Sequence, residues 1–161
     1  MTKIEKQTIL TDITRFNVSE QIRNCLLLFE KKWDRKGLEL VLDFDEFFIV
    51  GNEEMLKQVW INLIDNAIKF SKDFGKIEID IKNTPKDLSV TIKNSGVEIK
   101  EEEKEKIFSR FYRSRKALGI EGTGVGLAIV KKIVNLHRGS ITALSENGVT
   151  CFEVKLPRLY L

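Results

Sequence analysis

Residues 52–72 (NEEMLKQVWINLIDNAIKFSK) constrain this chain more than any other segment. Leu56, Val59, Trp60, Leu63, Ile64, Ala67 and Ile68 recur at helical spacing and predict a long amphipathic helix. Asn52 is a good N-cap, and Glu53 and Glu54 suit the positive end of the helix dipole. On a helical wheel Gln58, Asn62, Asn66 and Lys69 share one arc. Such an arc is ordinarily a solvated face. Solvated faces favour Lys, Glu and Gln, however, and an interior Asn costs roughly 0.5 kcal/mol or more of helix propensity relative to Ala. Two asparagines stacked at i and i+4 therefore suggest carboxamide oxygens needed at fixed positions.

A second segment narrows the reading. Gly119-Ile-Glu-Gly122-Thr-Gly124-Val-Gly126 runs straight into an apolar helical stretch at 127–136, and four of the ten glycines fall within these eight residues. Glycine costs backbone entropy, so a cluster needs a reason. A mobile hinge is one. The other is backbone approaching phosphate oxygens at a helix N-terminus, where free N–H groups and the dipole favour anions. No Gly-Lys-Ser/Thr follows and the spacing is not the dinucleotide-binding one, so neither common phosphate loop applies.

The segments LIDNAIKFS and GTGVGLAIVKKIVNLHRGSI resemble the asparagine box and second glycine box of histidine-kinase-type ATPase domains, the latter in its sensor-kinase form. Between them, Lys106-Ile-Phe108-Ser-Arg110-Phe111-Tyr112-Arg113 resembles the phenylalanine box. Three motifs in the right order, over residues 17–158, make the resemblance specific. It implies an α+β two-layer sandwich: a mixed, mostly antiparallel sheet with helices on one face, and nucleotide held under a lid.

Composition agrees with one globular domain. The chain has 161 residues, 42% hydrophobic, enough for a proper core. A net charge of +3 is too small to argue for nucleic acid. No apolar run approaches the roughly 20 residues of a membrane span, and residues 2–5 are too polar and charged to open a signal peptide. Cys25 and Cys151 have no metal-ligand spacing and are expected as free, mostly buried thiols in a reducing cytoplasm. The one histidine, His137, is expected to cap the C-terminus of the last helix rather than to act in catalysis.

Residues 1–16 are expected to be a linker or the tail of an upstream dimerisation helix, and 17–161 the ATP-binding domain. Asn17 with Glu20 predicts a capped helix to about Lys36, stopped by Gly37. Strands are predicted around residues 38–44 and 47–50, then at 76–82 and 88–93 about a turn at 84–87. A charged helix is expected over 101–111, a loop over 116–123, and a closing hairpin of 140–145 and 149–156 around Glu146-Asn147-Gly148.

Strand parity adds a clue about the base. Asn94 shares the inward parity of Leu88, Val90 and Ile92; Thr150 shares that of Phe152, Val154 and Leu156. Inward polar groups must be hydrogen-bonded, so the two predict a polar floor beneath an apolar pocket. The family's first glycine box reads Asp-x-Gly-x-Gly; here it reads Asn94-Ser95-Gly96-Val97-Glu98. Asn94 can still accept a bond from an adenine amino group, without charge assistance, and its amide can also pair with guanine's O6 and N1–H. Glu98 sets a negative charge near the base edge.

By resemblance, the cofactors are ATP and Mg²⁺. Asn66 is the expected Mg²⁺ ligand, Asn62 supports phosphate or metal-bound water, and Lys69 meets phosphate charge. Phe70 packs against base or ribose, with Asn94, Gly96, Ile99 and Thr150 around it. Gly122, Thr123, Gly124, Val125, Gly126 and Leu127 line the phosphates. Phe108 borders the site and, with Phe111, anchors the lid, while Arg110 or Arg113 neutralises charge on the transferred phosphoryl. The implied reaction moves the γ-phosphoryl of ATP to a histidine on an upstream dimerisation domain, with a response regulator as partner. No nucleic-acid or membrane contact is expected of this domain, which is placed in the cytoplasm with its parent protein membrane-tethered. The altered first glycine box supports one alternative: a degenerate nucleotide-binding or regulatory module.

Overall fold

A computed structural model describes residues 9–96, 100–104, 106–108 and 126–159. Strand β1 (Ile13–Asn17) pairs antiparallel with β3 (Phe48–Asn52) in a separate two-stranded sheet. Residues 13–16, expected as linker, are thus part of the folded unit. Asn17 caps helix α1 (Val18–Leu28) by accepting the Glu20 N–H at 2.9 Å. The single helix predicted to Lys36 breaks at Phe29, where φ is −106° and ψ 14°, and α2 (Glu30–Arg35) starts anew. The break is stabilised locally: the Phe29 N–H reaches back three residues to Leu26 O at 3.0 Å, and the Trp33 indole N–H donates to the same carbonyl at 2.9 Å.

The main sheet has the order β2-β4-β5-β7-β6, from β2 (Glu39–Asp43), β4 (Lys76–Asn83), β5 (Asp87–Ser95), β6 (Ser140–Glu146) and β7 (Val149–Pro157). Only β2 runs parallel to its neighbour β4; the other pairs are antiparallel. The β6–β7 hairpin turns on Asn147 and Gly148, both at positive φ (53° and 77°), the geometry of a two-residue mirror-image turn. Helices α3 (Glu53–Phe70) and α4 (Gly126–Leu136) complete the order. The charged helix expected over 101–111 is replaced, where described, by two short 3₁₀ turns, Glu101–Glu103 and Lys106–Phe108. Three successive glutamates with no side-chain cap at Lys100 do not nucleate a longer helix.

The core lies between helices and sheet. Leu56, Trp60, Leu63 and Ile64 of α3 face Ile77, Ile79, Leu88, Val90, Ile92, Phe152 and Val154 of the sheet, all fully or nearly fully buried. Each such side chain contributes on the order of 1.5–3 kcal/mol. Ile22 of α1 and Val130, Ile133 and Val134 of α4 flank this layer. The result is an α+β sandwich with helices on one face of a mostly antiparallel sheet, as the resemblance implied.

Candidate functional site

The inward parity of β5 and β7 holds to the strand ends. Asn94 and Thr150 are register partners, 2% and 4% exposed, so the two polar floor residues lie side by side. The Thr150 hydroxyl is 3.1 Å from the Ser145 Oγ. The Asn94 Nδ2 is buried and has no hydrogen-bond partner among the described residues. A buried amide donor left unpaired costs about 1–3 kcal/mol.

The C-terminus of α3 descends onto this floor. Ser71 bridges to Gly96, the Lys72 N–H donates to Ser95 O at 3.0 Å, and the Gly96 N–H donates to Gly148 O at 2.9 Å. Gly96 permits this approach, since a Cβ there would stand 1.9 Å from the Phe70 carbonyl oxygen. Phe70, half-buried, thereby borders the Asn94–Thr150 floor.

Two turns earlier, α3 meets the start of α4. The Asn62 Nδ2 donates to Gln58 O at 2.7 Å, one turn back on its own helix. Its Oδ1 is so near Gly126 that a Cβ on that glycine would sit 2.7 Å away. The asparagine helix and the glycine-led helix therefore touch. Eight residues at 1.5 Å rise separate Asn62 from Phe70, about 12 Å along α3. That span is long enough for an extended, phosphate-bearing ligand.

Asn66 lies on the same arc, half-buried, and no partner engages its amide among the described residues. Lys69 is held at 2.9 Å by Asp65 of the preceding turn. The other Asp65 oxygen has Lys32 at 3.6 Å, an ion pair longer than a hydrogen bond. Leu127 is half-buried and packs against the core. Phe108 stands edge-on to Phe152 with ring centroids 6.2 Å apart, as an anchor would. Ile99, Arg110, Phe111, Arg113, Gly122, Thr123, Gly124, Val125 and Glu98 lie outside the described residues.

The residues present fit a magnesium ion. Asn66 offers an unengaged carboxamide oxygen, the hard donor that Mg²⁺ accepts, and Mg²⁺ binds through few protein ligands beside phosphate and water. Among the described residues no cluster of three or more His, Cys, Asp or Glu competes as a metal site.

Two supports escape sequence reasoning. Lys36 donates to Ile68 O, Lys69 O and Ser71 O at 2.7, 3.1 and 2.8 Å, closing the end of α3 with a positive charge. The signal available was only a lysine before Gly37. His137 does more than cap its own helix: it is 2% exposed, its Nδ1 donates to Ile133 O at 2.8 Å, and its Nε2 accepts the Asn52 N–H at 3.1 Å. Burial pushes its pKa below the ordinary 6.5, with the Ile133 hydrogen bond opposing. Cys25 and Cys151 are free; burial raises both thiols, Cys25 to about 11, which leaves Cys25 unreactive at neutral pH.

Known proteins resemble this chain in sequence and in fold. Residues 51–159 match the family profile "Histidine kinase-, DNA gyrase B-, and HSP90-like ATPase". The adaptive-response sensory kinase SasA of Prochlorococcus marinus is 36% identical over 146 residues, 88% of this chain and 38% of that protein. The nucleotide-free catalytic domain of histidine kinase ThkA superposes with a TM-score of 0.83 at 34% identity, over 92% of this chain and 99% of that one. ThkA solved in complex with the response regulator TrrA gives a TM-score of 0.79 at 32% identity, over 91% of this chain and 42% of that one. The chain spans a third to two-fifths of the length of the curated relatives it matches. This chain belongs to the histidine kinase-, DNA gyrase B- and HSP90-like ATPase family, in the form of a sensor histidine kinase catalytic domain.

Proposed function

We propose that this domain binds ATP with Mg²⁺ and donates the γ-phosphoryl to a histidine on a dimerisation domain outside this chain, for onward transfer to a response regulator. In that step the bond from the γ-phosphorus to the bridging oxygen breaks, a phosphorus–nitrogen bond forms, and ADP leaves. The observation that carries the reading is the contact of Asn62 with Gly126 midway along α3 and of Phe70 with Gly96, beside Asn94 and Thr150, at its C-terminal end.

Phosphoryl transfer asks mostly for positioning and charge neutralisation. Asn62 would orient phosphate or metal-bound water, its amide already fixed by Gln58. Asn66 would hold Mg²⁺, which when bound supplies positive charge to the phosphate oxygens. The α4 N-terminus, with Gly122, Gly124 and Gly126, would present N–H groups. Lys69 would have to exchange Asp65 for phosphate. Arg110 or Arg113 is the proposed cation for the transferred group.

Calorimetric titration with ATP, with and without Mg²⁺, tests this. Wild type is expected to bind ATP more tightly with the metal, and Asn66→Ala is expected to lose most of the metal-dependent gain, about tenfold or more. Absence of any ATP binding would sink the proposal. A second reading, nucleotide binding without transfer, draws on Asn94 and Glu98; ATP binding together with no phosphorylation of a supplied histidine domain would favour it.

A further inference from the structure

The floor of the base pocket carries an unmet hydrogen-bonding demand. The Asn94 side chain is 98% buried by its neighbours, at 2% exposure, and its Nδ2 has no partner among the described residues. Beside it in register is Thr150, whose hydroxyl can donate or accept. Ser71, bridged to Gly96 at the pocket edge, is a third hydroxyl, itself engaged with Ala67 O at 2.6 Å. Among the described residues no charged side chain is buried.

Resting on the nucleotide reading above, we propose that this pocket recognises the purine 6-position through the Asn94 amide and accepts 6-oxo purine nucleotides nearly as well as ATP. An amide carries a donor and an acceptor side by side. Against adenine, Oδ1 accepts from the 6-amino group and Nδ2 donates to N1. Turned half a revolution about its terminal torsion, the same amide donates from Nδ2 to O6 and accepts the N1–H of hypoxanthine at Oδ1. Both arrangements satisfy the orphan Nδ2. A carboxylate at this position has two acceptors and a charge. It can take the adenine amino group but faces a 6-oxo oxygen with repulsion, and a site whose polar groups cannot pair rejects a ligand strongly.

The test is calorimetric titration of the 161-residue chain and its Asn94→Asp variant with ATP and inosine triphosphate in Mg²⁺. Inosine triphosphate isolates the 6-position because it lacks the 2-amino group of GTP. Wild type is expected to bind the two nucleotides within about tenfold of each other, and Asn94→Asp to widen the gap by a further tenfold or more. If ATP binds but inosine triphosphate is weaker by more than tenfold in wild type, or if Asn94→Asp leaves the ratio unchanged, this inference is overturned while the nucleotide reading stands. If neither nucleotide binds wild type, both fall. The wild-type ratio decides the matter even if Asn94→Asp fails to fold, which a thermal melt of the variant reveals.

Discussion

Asn62 spends its amide N–H on the Gln58 carbonyl one turn back, which leaves Oδ1 turned toward the first residue of α4. Gly126 is small because that oxygen occupies the space of its missing Cβ. A methyl group there must displace Asn62 or tilt α4. Ala is also the better helix former, by up to about 1 kcal/mol in a helix interior. Gly126→Ala is therefore expected to leave the thermal midpoint unchanged or slightly raised while weakening ATP binding by about tenfold, read by melting and calorimetry on one preparation. A fall in both would mean that the glycine serves folding rather than the site. The two arc asparagines and the inward parity of Asn94 and Thr150 were visible in the sequence, because both follow from fixed helical and strand periods. The Asp65 partner of Lys69 was within reach too, at i,i+4. The three carbonyls gathered by Lys36 were not, since more than thirty residues separate it from the end of α3.

Helices α3 and α4 are joined a second time by His137. Its Nε2 lone pair holds the Asn52 N–H while the Asn52 side chain caps α3 through the Met55 N–H at 2.9 Å. Only the neutral ring can accept that bond. The folded-state pKa lies below 6.5, so as pH falls below 6.5 the unfolded chain takes up a proton that the folded chain refuses. Stability from this group is thus full above about pH 6.5 and is lost as pH falls through the folded pKa. His137 is the single histidine of the chain, so few other groups titrate between about pH 5.5 and 7.5. Urea midpoints are expected to drop from pH 7.5 to 5.5 in wild type and to stay nearly level in His137→Gln, whose carbonyl can accept the same N–H. His137→Phe is expected to cost about 1–3 kcal/mol at pH 7.5 by orphaning the Asn52 N–H. Equal pH slopes for wild type and His137→Gln would remove the histidine from this account. The break at Phe29 belongs to the same scale: residues 17–36 carry a continuous helical pattern, and the Trp33 bond to Leu26 O interrupts it.

At the scale of the molecule, β1 is the least expected element. Ile13 and Phe16 are spaced as on a helix, yet they form a strand against β3, some thirty-five residues on. Phe16 is 7% exposed, and the neighbouring Thr11 carbonyl accepts the Asn52 Nδ2 at 2.8 Å. The segment before α1 therefore steadies the N-terminus of the helix that carries the site. Phe16→Ala is expected to destabilise by about 3 kcal/mol, read from urea unfolding; a change under about 0.5 kcal/mol would show that β1 is dispensable. No helix among the described residues is long and apolar enough to cross a membrane.

Short-range information determined α3, α4, the alternating strands β4, β5 and β7, and the polar residues those elements would aim inward. Periodicity, caps and turn glycines act within a few residues, so the chain states them directly. Tertiary structure alone decided that Asn62 would touch Gly126, that His137 would reach Asn52, and that the Asn94 Nδ2 would be buried without a partner among the described residues. Each of these depends on packing between elements far apart in sequence, where the burial of apolar faces, rather than any local preference, sets which groups meet.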